Sequence, residues 1–248
     1  MRSRDLVWDG LLNVRDLGGH PTEDGGRTRF GVYVRADNLE RLTDAGWRAL
    51  VDYGVHTVVD LRLAVERGAA PPPDLPIVAL HRPLVPDFGH QDWLEINTLS
   101  LGAVPPESTR LVYLEFLERY RDRFGDAVSA IASAGGDGAV LFHCMGGKDR
   151  TGLVTALLLR VAGVDRESVA SDYALSGTNL QAVHEEWIAG ALDDDDRELR
   201  IRISATPAEA MLGVLATLDE RYDGVEGYLR AAGVDDRELA NIRLRLRE

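Results

Sequence analysis

The chain runs from a short apolar stretch, Ala139-Val140-Leu141-Phe142, through His143-Cys144-Met145-Gly146-Gly147-Lys148-Asp149-Arg150-Thr151-Gly152, into a second apolar stretch. The first stretch predicts a buried strand. The second, from Arg150 through Val161 with Leu153, Val154, Leu157, Leu158, Leu159 and Val161, predicts a central helix. A strand that turns tightly into a helix N-terminus is a unit of α/β architecture. Loop amides and the positive end of the helix dipole converge there on a site for a tetrahedral anion. Gly146 and Gly147 let the backbone curl around it, and Arg150 adds a planar fork of donors that can hold two anion oxygens. Cys144, the only cysteine in the chain, falls on the floor of this bowl. Among amides, an arginine and a lysine its sulfur is expected to be a thiolate, and a thiolate beneath a bound phosphate is a nucleophile.

A cysteine followed six residues later by an arginine is weak evidence by itself, since both spacings and basic residues are common. The complete string is far more specific. His-Cys-x-x-Gly-Lys-Asp-Arg-Thr-Gly resembles the signature of the atypical bacterial protein tyrosine phosphatases, also called tyrosine/serine or triple-specificity phosphatases because some members accept phosphoserine, phosphothreonine and phosphoinositides as well. Asn13-Val14-Arg15-Asp16-Leu17-Gly18-Gly19 resembles that family's N-terminal signature, and Val58-Val59-Asp60-Leu61-Arg62 with Glu66 its Asp-Leu-Arg segment. Asp172-Tyr173-Ala174-Leu175-Ser176 is a weaker match. The matches reach from Asn13 to the C-terminal helices. They imply one cysteine phosphatase-like α/β domain over residues 1–248, with a central, mostly parallel sheet of about four or five strands flanked by helices.

The resemblance implies phosphomonoester hydrolysis through a phosphocysteine, with Cys144 attacking in line. Arg150 and the amides from Met145 through Gly146, Gly147 and Lys148 to Arg150 would hold the equatorial oxygens. Thr151 has two compatible readings, a hydroxyl on the sulfur or an early helix residue bonded to backbone. The general acid is expected to be Asp149, with Asp87 or Asp92 as the alternative. Lys148 departs from an ordinary tyrosine phosphatase loop: it either meets extra negative charge, as in a phosphoinositide or an acidic phosphopeptide, or pairs with Asp60. Asp60 either orients Lys148 or Arg150 or caps a loop, and Arg62 either adds charge to the mouth or is a solvated surface arginine. His143 should point away from substrate and brace the loop. Phosphate or sulfate is expected to occupy the bowl, and no metal or other cofactor is required. The competing class is a catalytically weak phosphate-recognition module. A sulfurtransferase or cysteine protease fits less well, since the lysine, arginine and amide cradle suits a phosphoryl group better than a carbonyl, and an arsenate reductase would lack a resolving cysteine.

A formal net charge of −13 argues against general affinity for nucleic acid or an anionic membrane. One cysteine excludes an internal disulfide and a thiolate zinc cluster and suits a reducing compartment. The first residues lack the apolar core of a signal peptide and no run reaches membrane-spanning length, so the expected location is the cytoplasm, with secretion by another route left open.

Along the chain, residues 11–19 read as loop, with Arg15 and Asp16 either near the site or paired with each other as a staple. Strands are predicted at residues 30–35, 56–61 and 77–80, and Thr43 caps a helix that stops at Gly54. Residues 83–106 lack a period and read as a flap over the pocket or a packed insertion. Tyr113, Leu117, Tyr120 and Phe124 mark a core-facing helix ending near Gly125. Asp193-Asp194-Asp195-Asp196 lacks the spacing of a calcium loop and reads as a solvated acidic loop. Thr206 with Glu209 predicts a capping box.

Overall fold

The computed structural model describes residues 2–68, 71–86, 91, 95–96, 98, 103–134, 136 and 138–247. Its centre is a five-stranded sheet of order β1-β2-β5-β3-β4, built from β1 (Arg15–Asp16), β2 (Tyr33–Ala36), β3 (Val55–Asp60), β4 (Val78–His81) and β5 (Ala139–His143). All neighbours are parallel except β1, which runs antiparallel to β2. The short β1 was not legible as a strand, because two charged residues carry no alternation. Strand β5 lies between β2 and β3 and is buried along its whole length, as its unbroken apolar sequence requires.

Alternation along β5 divides the core. Val140 and Phe142 face the larger layer, and Ala139 and Leu141 face a smaller one containing Trp8, Val34, Leu50 and Val58. The smaller layer is covered by α1 (Asp44–Asp52), whose N-cap Thr43 accepts from Gly46 N and which ends before Gly54 at φ +93°. The larger layer is covered by α2 (Glu107–Arg119), α3 (Arg121–Ser133), α4 (Asp149–Val161), α5 (Arg166–Asn179), α8 (Ala208–Tyr222), α9 (Val225–Ala231) and α10 (Asp236–Leu246).

Three local expectations are corrected. Gly125 does not end a helix; the break falls at Tyr120, and Gly125 lies inside α3, where a Cβ would stand 1.9 Å from the Ala232 carbonyl oxygen. The four aspartates are not a loop: Asp193 caps α7 (Asp194–Ser204) by accepting from Asp196 N, and the other three fill its first turn, where negative charge complements the helix dipole. The capping box at Thr206 is absent, since its hydroxyl turns to the Ala174 carbonyl and Pro207 holds the cap position. Between α5 and α7 lies α6 (Gln181–Ala189), and neither α6 nor α7 carries a fully buried residue. Of the expected flap at 83–106, Leu84, Val85 and Ile96 are buried in the larger core layer. Asp87 and Asp92 lie outside the described residues.

Candidate active site

The parallel strands β2, β5 and β3 end side by side at Ala36, His143 and Asp60, and the loop 144–148 leaves β5 at that edge before α4 begins. Open α/β sheets place their ligands at such carboxyl ends. Cys144 is buried at the base of the loop, and Met145 stands exposed at its rim. Lys148 occupies the N-cap of α4, and its side chain has no acceptor to offer, so no cap side chain claims the first-turn amides.

The loop keeps its curl because its carbonyls are pulled outward. Asn13 Nδ2 donates to the carbonyls of Gly146 at 2.9 Å and Gly147 at 3.2 Å, and Arg35 donates to Gly147 O at 2.6 Å. Carbonyls held on the outside leave the alternate amides for an anion inside. Gly147 has φ +61°, and a Cβ there would lie 2.4 Å from Ala36 O, so only glycine fits between loop and strand.

Beneath this support lies a buried ionic hub. Asp172 receives Arg35 at 2.7 Å and Arg15 at 3.3 Å, with Arg4 and His20 on its outer side. Burial alone would raise the Asp172 carboxyl, but the charges of Arg15 and Arg35 hold it well below the usual carboxylate range. Arg15 therefore pairs with Asp172 and not with Asp16, whose oxygens accept from Gly18 N, Gly31 N and the Tyr53 hydroxyl on the other side of β1. Ser176 completes the hub beside both arginines at 3.3 Å.

Arg150 is oriented by Glu66, which takes both of its terminal nitrogens, at 2.5 and 2.8 Å. Burial would weaken the Arg150 charge, but the Glu66 hydrogen bonds more than offset it and raise the group further. Asp60 has a different task from the one expected. Its oxygens accept from Arg62 Nε at 3.0 Å, Arg62 Nη2 at 2.9 Å and Arg67 Nε at 3.2 Å, and do not bond Lys148 or Arg150. Burial would raise its carboxyl, yet these hydrogen bonds bring it down to about 2. Arg62 is buried, with Asn38, Glu40 and the Glu66 carbonyl also on its guanidinium, so it is neither a solvated arginine nor a free charge at the mouth. Two carboxylates and a carbonyl hold it inward, and the result is a rigid turn that presents Glu66 to Arg150.

His143 donates from Nδ1 to the Cys144 carbonyl at 3.1 Å and lies 3.8 Å from Asp60. Burial pushes it down to about 4, which leaves it neutral and bracing the loop. A family model described as the tyrosine phosphatase family matches residues 6–248. This chain belongs to the tyrosine phosphatase family.

Relatives agree with that assignment. The chain is 34% identical to a tyrosine-protein phosphatase of Nostoc commune over 224 residues, 87% of this chain and 74% of that one. It is 31% identical over 272 residues to the triple specificity protein phosphatase PtpB of Mycobacterium tuberculosis, covering 94% and 96% of the two chains. A putative tyrosine-protein phosphatase of Cupriavidus necator is 31% identical over 240 residues, with 92% and 84% covered.

Within this tyrosine phosphatase, two loop side chains differ from expectation. Lys148 Nζ does not meet Asp60; it donates to the carbonyls of Ile203 and Ala205 at the end of α7 and stands 3.3 Å from Asp149 Oδ1. A cation there satisfies carbonyls that a helix C-terminus leaves open. Among the described residues, the buried Thr151 hydroxyl has no partner, on the sulfur or on the backbone. Asp149 accepts from the Tyr113 hydroxyl at 2.5 Å.

Sequence reasoning pointed to Asn13, Glu66 and Asp172 through the family motifs but not to what they hold. Arg35 was missed altogether. Its signal was present: an arginine in the apolar strand Tyr33-Val34-Arg35-Ala36 demands a buried partner.

Proposed function

We propose that this tyrosine phosphatase hydrolyses phosphotyrosine through a covalent phosphocysteine on Cys144. The observation that carries the reading is the loop itself: a buried sulfur under outward-held carbonyls, with Arg150 fixed by a two-pronged carboxylate. A phosphoryl group seated in the bowl would meet inward amides and the Arg150 fork on its equatorial oxygens, with Cys144 below in line for attack. The same cradle would take free phosphate or sulfate. Asp149 is the proposed general acid, and the unpartnered Thr151 hydroxyl is placed one turn into α4, available to the sulfur when it leaves. Direct substrate contact through the backbone amides of Met145, Gly146, Gly147 and Lys148 belongs to this proposal. Asp60 and Arg62 act in it through Glu66.

Phosphoserine, phosphothreonine and phosphoinositides form a second tier. The relative from Mycobacterium tuberculosis is named a triple specificity phosphatase, and the Lys148 position supports the extension. To reach a second phosphate, however, Lys148 must release the Ile203 and Ala205 carbonyls, a step phosphotyrosine does not require. Phosphotyrosine is therefore placed first. A lone thiolate nucleophile also suits a reducing, cytoplasmic setting, and no described helix is long and apolar enough to cross a membrane.

The test is a rate panel with chelator present, on an aryl phosphate, phosphotyrosine, phosphoserine and phosphothreonine peptides, and phosphoinositides. Cys144→Ser should abolish turnover on all of them. Lys148→Ala should weaken multiply phosphorylated lipids more than the aryl phosphate; equal losses would remove the lipid tier. Substrate binding with no turnover by the wild type would favour a recognition module instead.

A further inference from the structure

Two buried tyrosines stand in line behind the proposed acid. Tyr113 of α2 and Tyr173 of α5 pack edge to face, with ring centroids 5.9 Å apart and planes at 85°. Both are at most 2% exposed. Their hydroxyls meet at 2.9 Å, and the Tyr113 hydroxyl donates to Asp149 Oδ1 at 2.5 Å. Tyr113 has one hydroxyl proton and commits it to the carboxylate, so Tyr173 donates the bond between the phenols. Tyr173 and Tyr113 thus form a line of buried donors that ends on Asp149, and bonds in such a line reinforce one another.

Lys148 Nζ stands 3.3 Å from the same oxygen, Oδ1. Tyr113 and Lys148 both grip one oxygen of the carboxylate, and Oδ2 is left as the atom able to carry a proton to substrate. The Asp149 side chain is 43% exposed. Without such a grip it would rotate among several poses, and a proton donor must be held within hydrogen-bond reach of the departing oxygen.

We propose that Tyr113, backed by Tyr173, is a positioning residue that fixes Asp149 through Oδ1 so that Oδ2 delivers the proton to the leaving group. The proposal rests on the reading of Asp149 as general acid. As the Cys144 sulfur forms its bond to phosphorus and the P–O ester bond breaks, the Oδ2–H bond breaks with it and the proton passes to the departing oxygen. The carboxylate that remains is stabilised by the Tyr113 hydroxyl and by Lys148. Water then attacks the phosphorus of the phosphocysteine and gives a proton back to Asp149. The S–P bond breaks, returning the thiolate and releasing inorganic phosphate. Burial, and then the charge of Asp149, push the Tyr113 hydroxyl well above its ordinary range, so it stays a donor at every working pH.

Tyr113→Phe removes one oxygen and keeps the ring. On a phosphotyrosine or phosphoserine peptide, whose leaving group needs a proton, kcat should fall about ten-fold, the size of one hydrogen bond to a charged group. On an aryl phosphate with a good leaving group kcat should change less than about two-fold, and KM should hold for both substrates. Tyr173→Phe, which does not touch Asp149, should show the same pattern at smaller amplitude, and it serves if Tyr113→Phe melts early. In an Asp149→Asn background, Tyr113→Phe should have no further effect. Equal slowing of both substrates by Tyr113→Phe, or an undiminished effect in the Asp149→Asn background, would overturn the proposal alone. If Asp149→Asn itself slowed both substrates equally, the acid assignment would fall and the proposal with it.

Discussion

Glu66 decides what Arg150 can do. An arginine held at both terminal nitrogens cannot swing, so its remaining donors meet the phosphoryl oxygens in one geometry. Glu66→Gln keeps the shape but removes a charged bond worth roughly 1.5–3 kcal/mol, and kcat/KM on an aryl phosphate should fall by on the order of ten-fold or more. Steady-state rates check this, and a change under about two-fold would show that Arg150 needs no carboxylate partner. The glutamate illustrates the limits of reading at this scale. The family motif brought Glu66 to notice, yet nothing in its spacing from Asp60 says that Asp60 binds Arg62, that Arg62 holds the Glu66 carbonyl, and that Glu66 alone reaches Arg150. Cys144 and Arg150 were legible because six residues of loop bring both to one bowl. What Asn13, Arg35 and Asp172 hold was not, because contacts across 112 to 137 residues leave no local period.

At the level of elements, strands were legible where burial forces composition. The apolar runs at β3 and β5 were each placed within a residue or two, as was the more exposed β4, and Thr43 and Gly54 bounded α1 as capping chemistry predicts. What failed was any element whose sequence follows a contact elsewhere. Gly125 looks like a helix stop, but it is a glycine because the end of α9 presses its Ala232 carbonyl against α3. The helical reading of residues 179–191 holds at α6, whereas α7, with no fully buried residue, was hidden behind its aspartates, yet both border the loop: Leu180, just before α6, lies against Gly146, and the end of α7 is tied to Lys148. The expected flap at residues 83–106 lies in large part outside the described residues.

For the molecule as a whole, several charged or titratable groups are buried under the loop, and this ties stability to pH. His20 and His143 are both pushed down to about 4 by burial. A histidine whose folded value lies below its unfolded 6.5 stabilises fully above pH 6.5 and loses that contribution as pH falls toward 4, on the order of 3 kcal/mol each. Asp60 and Asp172, held low, stabilise above about pH 4 and fail below it. Asp16 and Asp37, raised by burial, run the other way. The melting midpoint should therefore begin to fall near pH 6.5 on acidification, and His20→Gln should flatten that decline; a midpoint that is level or rises from pH 6.5 to 4.5 would contradict it. The same burial serves the chemistry, since the hub from Arg4 to Ser176 holds the loop that surrounds one sulfur. The most direct measurement is rapid acid quench during turnover of an aryl phosphate, followed by mass spectrometry of the peptide carrying Cys144. A phosphoryl adduct on Cys144 that forms before product accumulates and decays as phosphate is released is the predicted result. Full turnover with Cys144 unmodified, or an adduct on another residue, would contradict it.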